Sequence, residues 1–218
     1  PPAHLPQAAP VTQPLTVAAF DFDGTLSSRD NFMRFVRLVA GTGETARAVL
    51  AAAPALFASR RDPAQRDVAK AIVLRETMRG RRADYVCDLG ARFARQIVSE
   101  HLNPRVVARL DAHRAVGHQV VLVSASLTCY LTPVADHLAV PTVLATELEV
   151  GPDGRYTGEL VGENVRGAEK AARLDAWLAG RPAVVYAYGD SHGDAELLAR
   201  ADHGFLVDKR GQLPESAR

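Results

Sequence analysis

TVAAFDFDGT, residues 16–25, is the stretch from which the rest of the chain is best read. Five of the six residues from 17 to 22 are apolar, the composition of a strand covered on both faces in a parallel sheet. Asp21 interrupts that run and Asp23 follows it. Gly24 and Thr25 then supply a turn where the backbone can approach a ligand closely. Carboxylates at a strand end are costly unless a cation or a phosphorylated group sits beside them. Open α/β sheets bind ligands just outside the carboxyl ends of their strands, which makes this stretch a candidate active site on its residues alone.

At 218 residues the chain exceeds the commonest single-domain size, so a domain with a large insertion, or two domains, is expected. Hydrophobic residues at 47% and charged residues at 23% are ordinary for a soluble globular protein. A formal charge of +1 gives no pull toward nucleic acid, and RGRR at 79–82 reads as a solvated turn. Cys87 and Cys129 belong to no CxxC pair and read as reduced structural thiols, the usage of a cytoplasmic protein. Residues 1–14 read as a disordered, proline-rich leader and not a signal peptide. The longest apolar run, residues 48–58, is too short to span a bilayer; it reads as a helix packed between cap and core, the alternative being a cap helix that touches a membrane, and no stable membrane insertion is expected.

From residue 30 to about 116 the pattern is helical, with Phe32, Phe35, Val36 and Val39, then Val68, Ile72, Leu74 and Met78, at helical spacing. Breaks at 41–43, 60–63, 80–82 and 103–104 divide it into four or five helices. VVLVSAS at 120–126 is a second buried strand ending in hydroxyls, and a helix follows at 127–138. Residues 143–160 read as a hairpin turning at Asp153-Gly154. A helix at 168–178, a strand at 183–188, the turn GDSHGD, a helix at 195–199 and a strand at 203–207 complete the alternation. The architecture is α/β, with a core of residues 15–27 and 104–218 and a helical insertion, 28–103, placed to close over the site as a lid.

Asp21 and Asp23, Ser124, Lys170, and Asp190 with Asp194, each at a strand or helix end and in this order, resemble the four motifs of the haloacid dehalogenase (HAD) superfamily. The helical insertion is similar to the cap of its phosphoserine phosphatase-like subfamily, IB, with a helical C1 cap. The resemblance implies a Rossmann-like core with a parallel sheet, a bound Mg²⁺, and phosphomonoester hydrolysis through a phosphoaspartate. Asp21 is then the nucleophile and Asp23 the general acid and base. Mg²⁺ is held by Asp21, the Asp23 carbonyl and Asp190, and Asp194 orients that shell. Ser124, Ala125, Lys170, Gly24 and Thr25 hold the phosphate. The chemistry requires such a set, because a carboxylate reaches phosphorus only when cations and donors neutralise the phosphoryl oxygens.

The substrate implied is a small phosphorylated metabolite, phosphoserine-like in the first instance. Asp30 replaces the Glu that holds the amino group in phosphoserine phosphatases; it either binds an amine or caps the helix that follows it. DFDGT and Ser124-Ala125-Ser126 also depart from the usual DxDST and Ser-Gly-Gly. Arg60, Arg61 and Arg66 either grip a second anionic group or are solvated. Histidinol phosphate, a lipid phosphate such as phosphatidylglycerophosphate, and phosphoryl transfer to another alcohol are the alternatives within the same chemistry. His192 reads as a surface residue. A dehalogenase has no need of Asp23, a receiver domain is about half this length, and a dead scaffold would lack one of Asp21, Asp23, Lys170 or Asp190.

Overall fold

The computed structural model describes residues 14–214, so the leader expected over residues 1–14 lies, but for Pro14, outside the described residues. In chain order, β1 (Leu15–Phe20) leads to α1 (Phe32–Ala58), α2 (Gln65–Met78), α3 (Ala83–Glu100) and α4 (Pro104–Ala115). Next come β2 (Gln119–Leu127), α5 (Thr128–His137), β3 (Thr142–Thr146), β4 (Leu148–Val150) and β5 (Tyr156–Leu160). Then follow α6 (Ala168–Leu178), β6 (Ala183–Gly189), a 3₁₀ turn (His192–Asp194), α7 (Ala195–Arg200) and β7 (His203–Leu206).

Five strands form a parallel sheet in the order β3-β2-β1-β6-β7, with β1 at its centre. That position explains the apolar run, residues 17–20, that ends β1. Ala18 and Phe20 face one core with Leu122 and Tyr188, whereas Val17 and Ala19 face another with Val121, Val185, Leu174 of α6 and Leu197 of α7. Phe20 stacks on Tyr188 at 4.4 Å between ring centroids, and Tyr188 stacks on Phe205 at 4.9 Å. The chain leaves β1 toward β2 on one side and returns at β6 on the other, which opens a crevice at the carboxyl end of β1.

The helical breaks fall where the turn residues place them. Asn103 accepts from the Arg105 amide with Pro104 in the first turn of α4. Gly41, at φ +76°, kinks α1, so the region holds four helices, or five if the kink is counted. The RGRR turn is less solvated than its charge implied: Arg81 reaches Glu44 of α1 at 2.8 Å, both partly buried. The expected hairpin at 143–160 is split. Residues 142–146 pair in parallel with β2 as the sheet edge, and only 148–150 pair with β5. Ala145 and Thr146 are buried against the sheet's own core, whereas Glu149 and Val150 are exposed, so burial decides the pairing over hairpin proximity. β5 leans on α2, with the Gly80 amide bonded to the Tyr156 carbonyl at 2.8 Å.

Helices α3 and α5 touch backbone to backbone at Gly90, where a Cβ would lie 2.1 Å from the Cys129 carbonyl oxygen. Gly90→Ala should therefore destabilise the fold by about 1–3 kcal/mol through overpacking, despite alanine's better helix propensity. Urea unfolding would measure it, and an unchanged or raised midpoint would contradict this account.

Candidate active site

The ends of β1, β2 and β6 and the first turn of α6 converge on a cleft of about 790 Å³. Asp21, Asp23, Gly24, Ser124, Ala125, Lys170, Asp190 and Asp194 all line it. The amide of Asp21 bonds the Tyr188 carbonyl at 2.9 Å, so the sheet ladder fixes its backbone. The residue is 5% exposed. Lys170 Nζ donates to Asp21 Oδ1 at 2.5 Å and also to Asp194 Oδ1, and Thr25 Oγ1 donates to Asp21 Oδ2 at 3.3 Å.

Three glycines make this approach possible. Gly24 has φ +83°, and a Cβ there would fall 2.3 Å from Asp190 Oδ2. A Cβ on Gly189 would fall 2.5 Å from Asp194 Cβ. The Gly167 amide, at the entry to α6, bonds the Gly193 carbonyl at 2.8 Å, which ties the helix that carries Lys170 to the turn that carries Asp194. Carboxylate oxygens of Asp21, Asp190 and Asp194 lie within 4.8 Å of one another. This is a donor set for a hard divalent cation that prefers oxygen ligands. Both oxygens of Asp194 are already engaged, one by Lys170 and the other by the Asp190 and Ser191 amides and the Ser191 hydroxyl. Asp194 thus touches Lys170 directly, a contact the sequence reading did not foresee.

Asp23 is clamped from both sides. Its Oδ1 accepts from the Asn31 amide at 3.1 Å and the Asn31 side chain at 2.7 Å, and its Oδ2 accepts from the Ser126 hydroxyl at 2.6 Å. Tyr130 donates in turn to Ser126 at 2.9 Å. Burial pushes the Asp21 carboxyl up to about 7 against the pull of Lys170, and pushes Asp23 up to about 6 and Asp190 to about 6. Three carboxyls raised in one cleft, chiefly by burial, are groups whose charged form a nearby cation would favour.

The remaining expected residues are spread more widely. Ser124 is buried, and its oxygen accepts from the Ser126 amide at 3.1 Å, while its hydroxyl donates to no partner among the described residues. Asp30 lines the cleft and accepts from the Phe32 amide at 2.9 Å, but α1 starts at Phe32 with Asn31 at its N-cap, so the helix expected to start at Asn31 with Asp30 as its cap begins one residue later. Arg66 lines the cleft; Arg60 does not, its guanidinium lying 5.3 Å over the exposed Phe57 ring instead. His192 is exposed, as expected of a surface residue.

Sequence reasoning missed Asn31, Ser126, Lys70 and Asn164. Strand periodicity gives a signal for Ser126, which sits two residues after Ser124 and so faces the same side. Lys70 of α2 has no such signal. It donates to the Ala125 carbonyl and to Asn164 Oδ1, lies 5.0 Å from the Phe32 ring centroid, and is lowered to about 8 by burial.

Lys170→Met would strand two buried carboxylates and should cost about 3–5 kcal/mol in metal-free protein near neutral pH, measured by urea unfolding. A loss below ~1 kcal/mol would contradict the pairing. The raised carboxyls also set a pH dependence. Between their ordinary value of 3.8 and about 7 the folded chain binds more protons than the unfolded one, so these groups make it less stable as pH rises. His113, lowered to about 4 by burial, works in the opposite direction below its ordinary 6.5. Asp21→Asn removes one raised carboxyl, so its metal-free unfolding midpoint should fall less than wild type's between about pH 5 and about pH 7.5. Equal slopes would argue against a raised Asp21.

Comparison with known proteins gives the same reading. A family model for haloacid dehalogenase-like hydrolases matches residues 18–199. Protein CicA of Caulobacter vibrioides is 36% identical over 190 residues, 87% of this chain and 84% of the relative. Phosphoserine phosphatase SerB1 of Mycobacterium tuberculosis is 30% identical over 232 residues, covering 100% of this chain and 74% of the relative. The crystal structure of a Bordetella pertussis Tohama I protein of unknown function superimposes with a TM-score of 0.73 at 26% identity, covering 86% of this chain and 87% of that one. With 182 consecutive residues matched and the motif carboxylates and lysine gathered in one cleft, the chain belongs to the haloacid dehalogenase-like hydrolase family.

Proposed function

We propose that this hydrolase is a Mg²⁺-dependent phosphatase that cleaves a small phosphomonoester through a phosphoaspartate on Asp21, with phosphoserine-like metabolites as its substrate class. The observation that carries the reading is the buried Asp21 carboxylate 2.5 Å from the Lys170 ammonium, with Asp23 in the same cleft and raised to about 6.

The donor set fits the metal the family uses. Asp21 and Asp190 offer carboxylate oxygens within reach of each other, and the Asp23 carbonyl accepts no hydrogen bond among the described residues. Mg²⁺, when bound by these three groups, supplies positive charge at the phosphoryl oxygens. Lys170 supplies a second, fixed positive charge there, and the Ser124 hydroxyl, the Ala125 backbone, Gly24 and Thr25 supply donors and close backbone approach.

The Asp21 carboxylate forms the new oxygen–phosphorus bond as the bond to the leaving alcohol breaks. Asp23 gives its proton to that alkoxide, then takes one from the water that attacks the acyl phosphate and frees Asp21. A carboxyl near 6 suits both halves, because each protonation state is populated close to neutrality. Asn31 and Ser126 fix the direction in which Asp23 delivers its proton. Asp194 acts as a positioning residue, holding Lys170 and the backbone of Asp190.

Residues 28–103 act as the cap over a core of 15–27 and 104–218. Phe32, Arg66 and Lys70 reach the cleft from α1 and α2, and Lys70 crosses to Ala125 and Asn164, which supports that division. Arg66 is a candidate for a second anionic group of the substrate and Asp30 for an amine. The 30% identity to a phosphoserine phosphatase along the whole chain supports this class. A second reading, a phosphomonoester with an apolar body such as a lipid phosphate, is favoured by the wall of Phe32, Met33, Val49 and Leu56.

Wild type should turn over a chromogenic aryl phosphate with Mg²⁺, and Asp21→Asn should show no turnover above background. Asp23→Asn should keep Mg²⁺ binding by calorimetry, since its carbonyl survives, while kcat falls by about 10² to 10⁴. Loss of metal binding in that variant would exclude the carbonyl as ligand. A panel of phosphoserine, histidinol phosphate and a lysophospholipid phosphate would separate the substrate readings by kcat/KM.

A further inference from the structure

The second half of α1 is apolar on every side. Residues 48–58, AVLAAAPALFA, hold no polar side chain. One face, Ala48, Ala52 and Ala55, is buried in the core. A second face, Val49 and Leu56, walls the cleft. The third carries Leu50, Ala53, Pro54 and Phe57 at i, i+3, i+4 and i+7, and all four are exposed. Leu50 is 74% and Phe57 66% exposed. A helix apolar all round is normally covered all round, and bulky apolar groups aligned along an open stripe mark a contact surface.

We propose that this stripe docks on an anionic phospholipid surface, with α1 lying in the plane of the interface. The charges around it fit that occupant. Arg47 precedes the stripe and Arg60 and Arg61 follow it, all three exposed, against one acid, Asp62. The Arg60 guanidinium lies 5.3 Å over the Phe57 ring, pairing a cation with an apolar anchor. Aromatic and aliphatic groups buried at the headgroup boundary, flanked by arginines at the headgroup phosphates, form the pattern of an interfacial helix. A second copy seated symmetrically on the stripe would instead bring its own three arginines against these, which like-charge repulsion disfavours. Among the described residues no helix is long and apolar enough to cross a membrane, so the contact is peripheral.

Docking would set the cleft beside the lipid surface, because Leu56, next to Phe57 in the chain, walls the cleft and is itself 43% exposed. The proposal stands apart from the chemistry at Asp21, since Leu50 and Phe57 do not line the cleft.

Co-sedimentation of the full chain with vesicles of phosphatidylglycerol and phosphatidylcholine, compared with phosphatidylcholine alone, tests it. The expected result is partition onto the anionic vesicles that weakens with added salt and drops at least roughly tenfold in Leu50→Asp/Phe57→Asp. The double variant should keep wild-type turnover of the aryl phosphate, which certifies its fold. No binding to either vesicle, equal binding to both, or binding untouched by the double substitution would overturn the proposal. So would a wild-type dimer in sedimentation equilibrium that the double variant abolishes, because a second copy would then cover the stripe. Lipid binding without phosphatase activity would sink the reading of Asp21 and leave this one standing.

Discussion

The structure depends on one buried ammonium group. Lys170, 3% exposed, sits between the carboxylates of Asp21 and Asp194, and an ion pair out of water persists only where the geometry leaves no partner unsatisfied. Much of the local fold serves that requirement. Gly189 lets Asp194 close in, Gly24 clears room for Asp190, and Gly167 turns the chain so that α6 delivers its lysine in the first turn. The 3₁₀ turn at His192–Asp194 is itself closed by Ser191 and Asp194 bonding reciprocally, so the carboxylate that holds Lys170 also holds its own loop.

Charge at the site remains unbalanced even so. Asp21, Asp23 and Asp190 are all raised from their ordinary values, chiefly by burial. In a pocket built this way the carboxylates lack solvation, so their protonation depends on the charges placed beside them. The two carboxylates of the first motif have different partners. Asp21 lies against Lys170, whereas Asp23 is clamped by Asn31 and Ser126.

The second constraint is the seam between α2 and the sheet. Lys70 bonds the Ala125 carbonyl and Asn164, Asn164 donates to Asp67 at 2.6 Å, and Thr146 donates to Asn164 at 2.9 Å. These bonds hold one wall of the cleft against the ends of β2 and β3. Buried networks of this kind favour a single arrangement because each member is costly to leave unpaired. Helix α1 faces three environments at once, the core through its alanines, the cleft through Val49 and Leu56, and solvent through Leu50 and Phe57. Its uniform apolar sequence hid that division, since spacing alone does not say which face is covered.

The sequence by itself determined the apolar strands, the glycine turns and the order of the motifs, because strand hydrophobicity, turn chemistry and helix register are local properties, and its family resemblance pointed to the parallel core and to Asp21, Asp23, Ser124, Lys170 and Asp190. Helix α6 falls at Ala168–Leu178 as read, and β2 and β6 extend beyond the strands read from pattern by only a residue or so at their ends. Only the tertiary structure decided which groups meet across long separations. Asn31 lies eight residues from Asp23, Ser126 lies 103 away, and Lys70 lies 94 from Asn164. It also decided that residues 142–146 join the sheet edge, that Arg81 pairs with Glu44, and that Arg60 turns to Phe57 and away from the cleft. The first two of these choices depend on burial and on partners that the folded chain brings together, which no local pattern encodes.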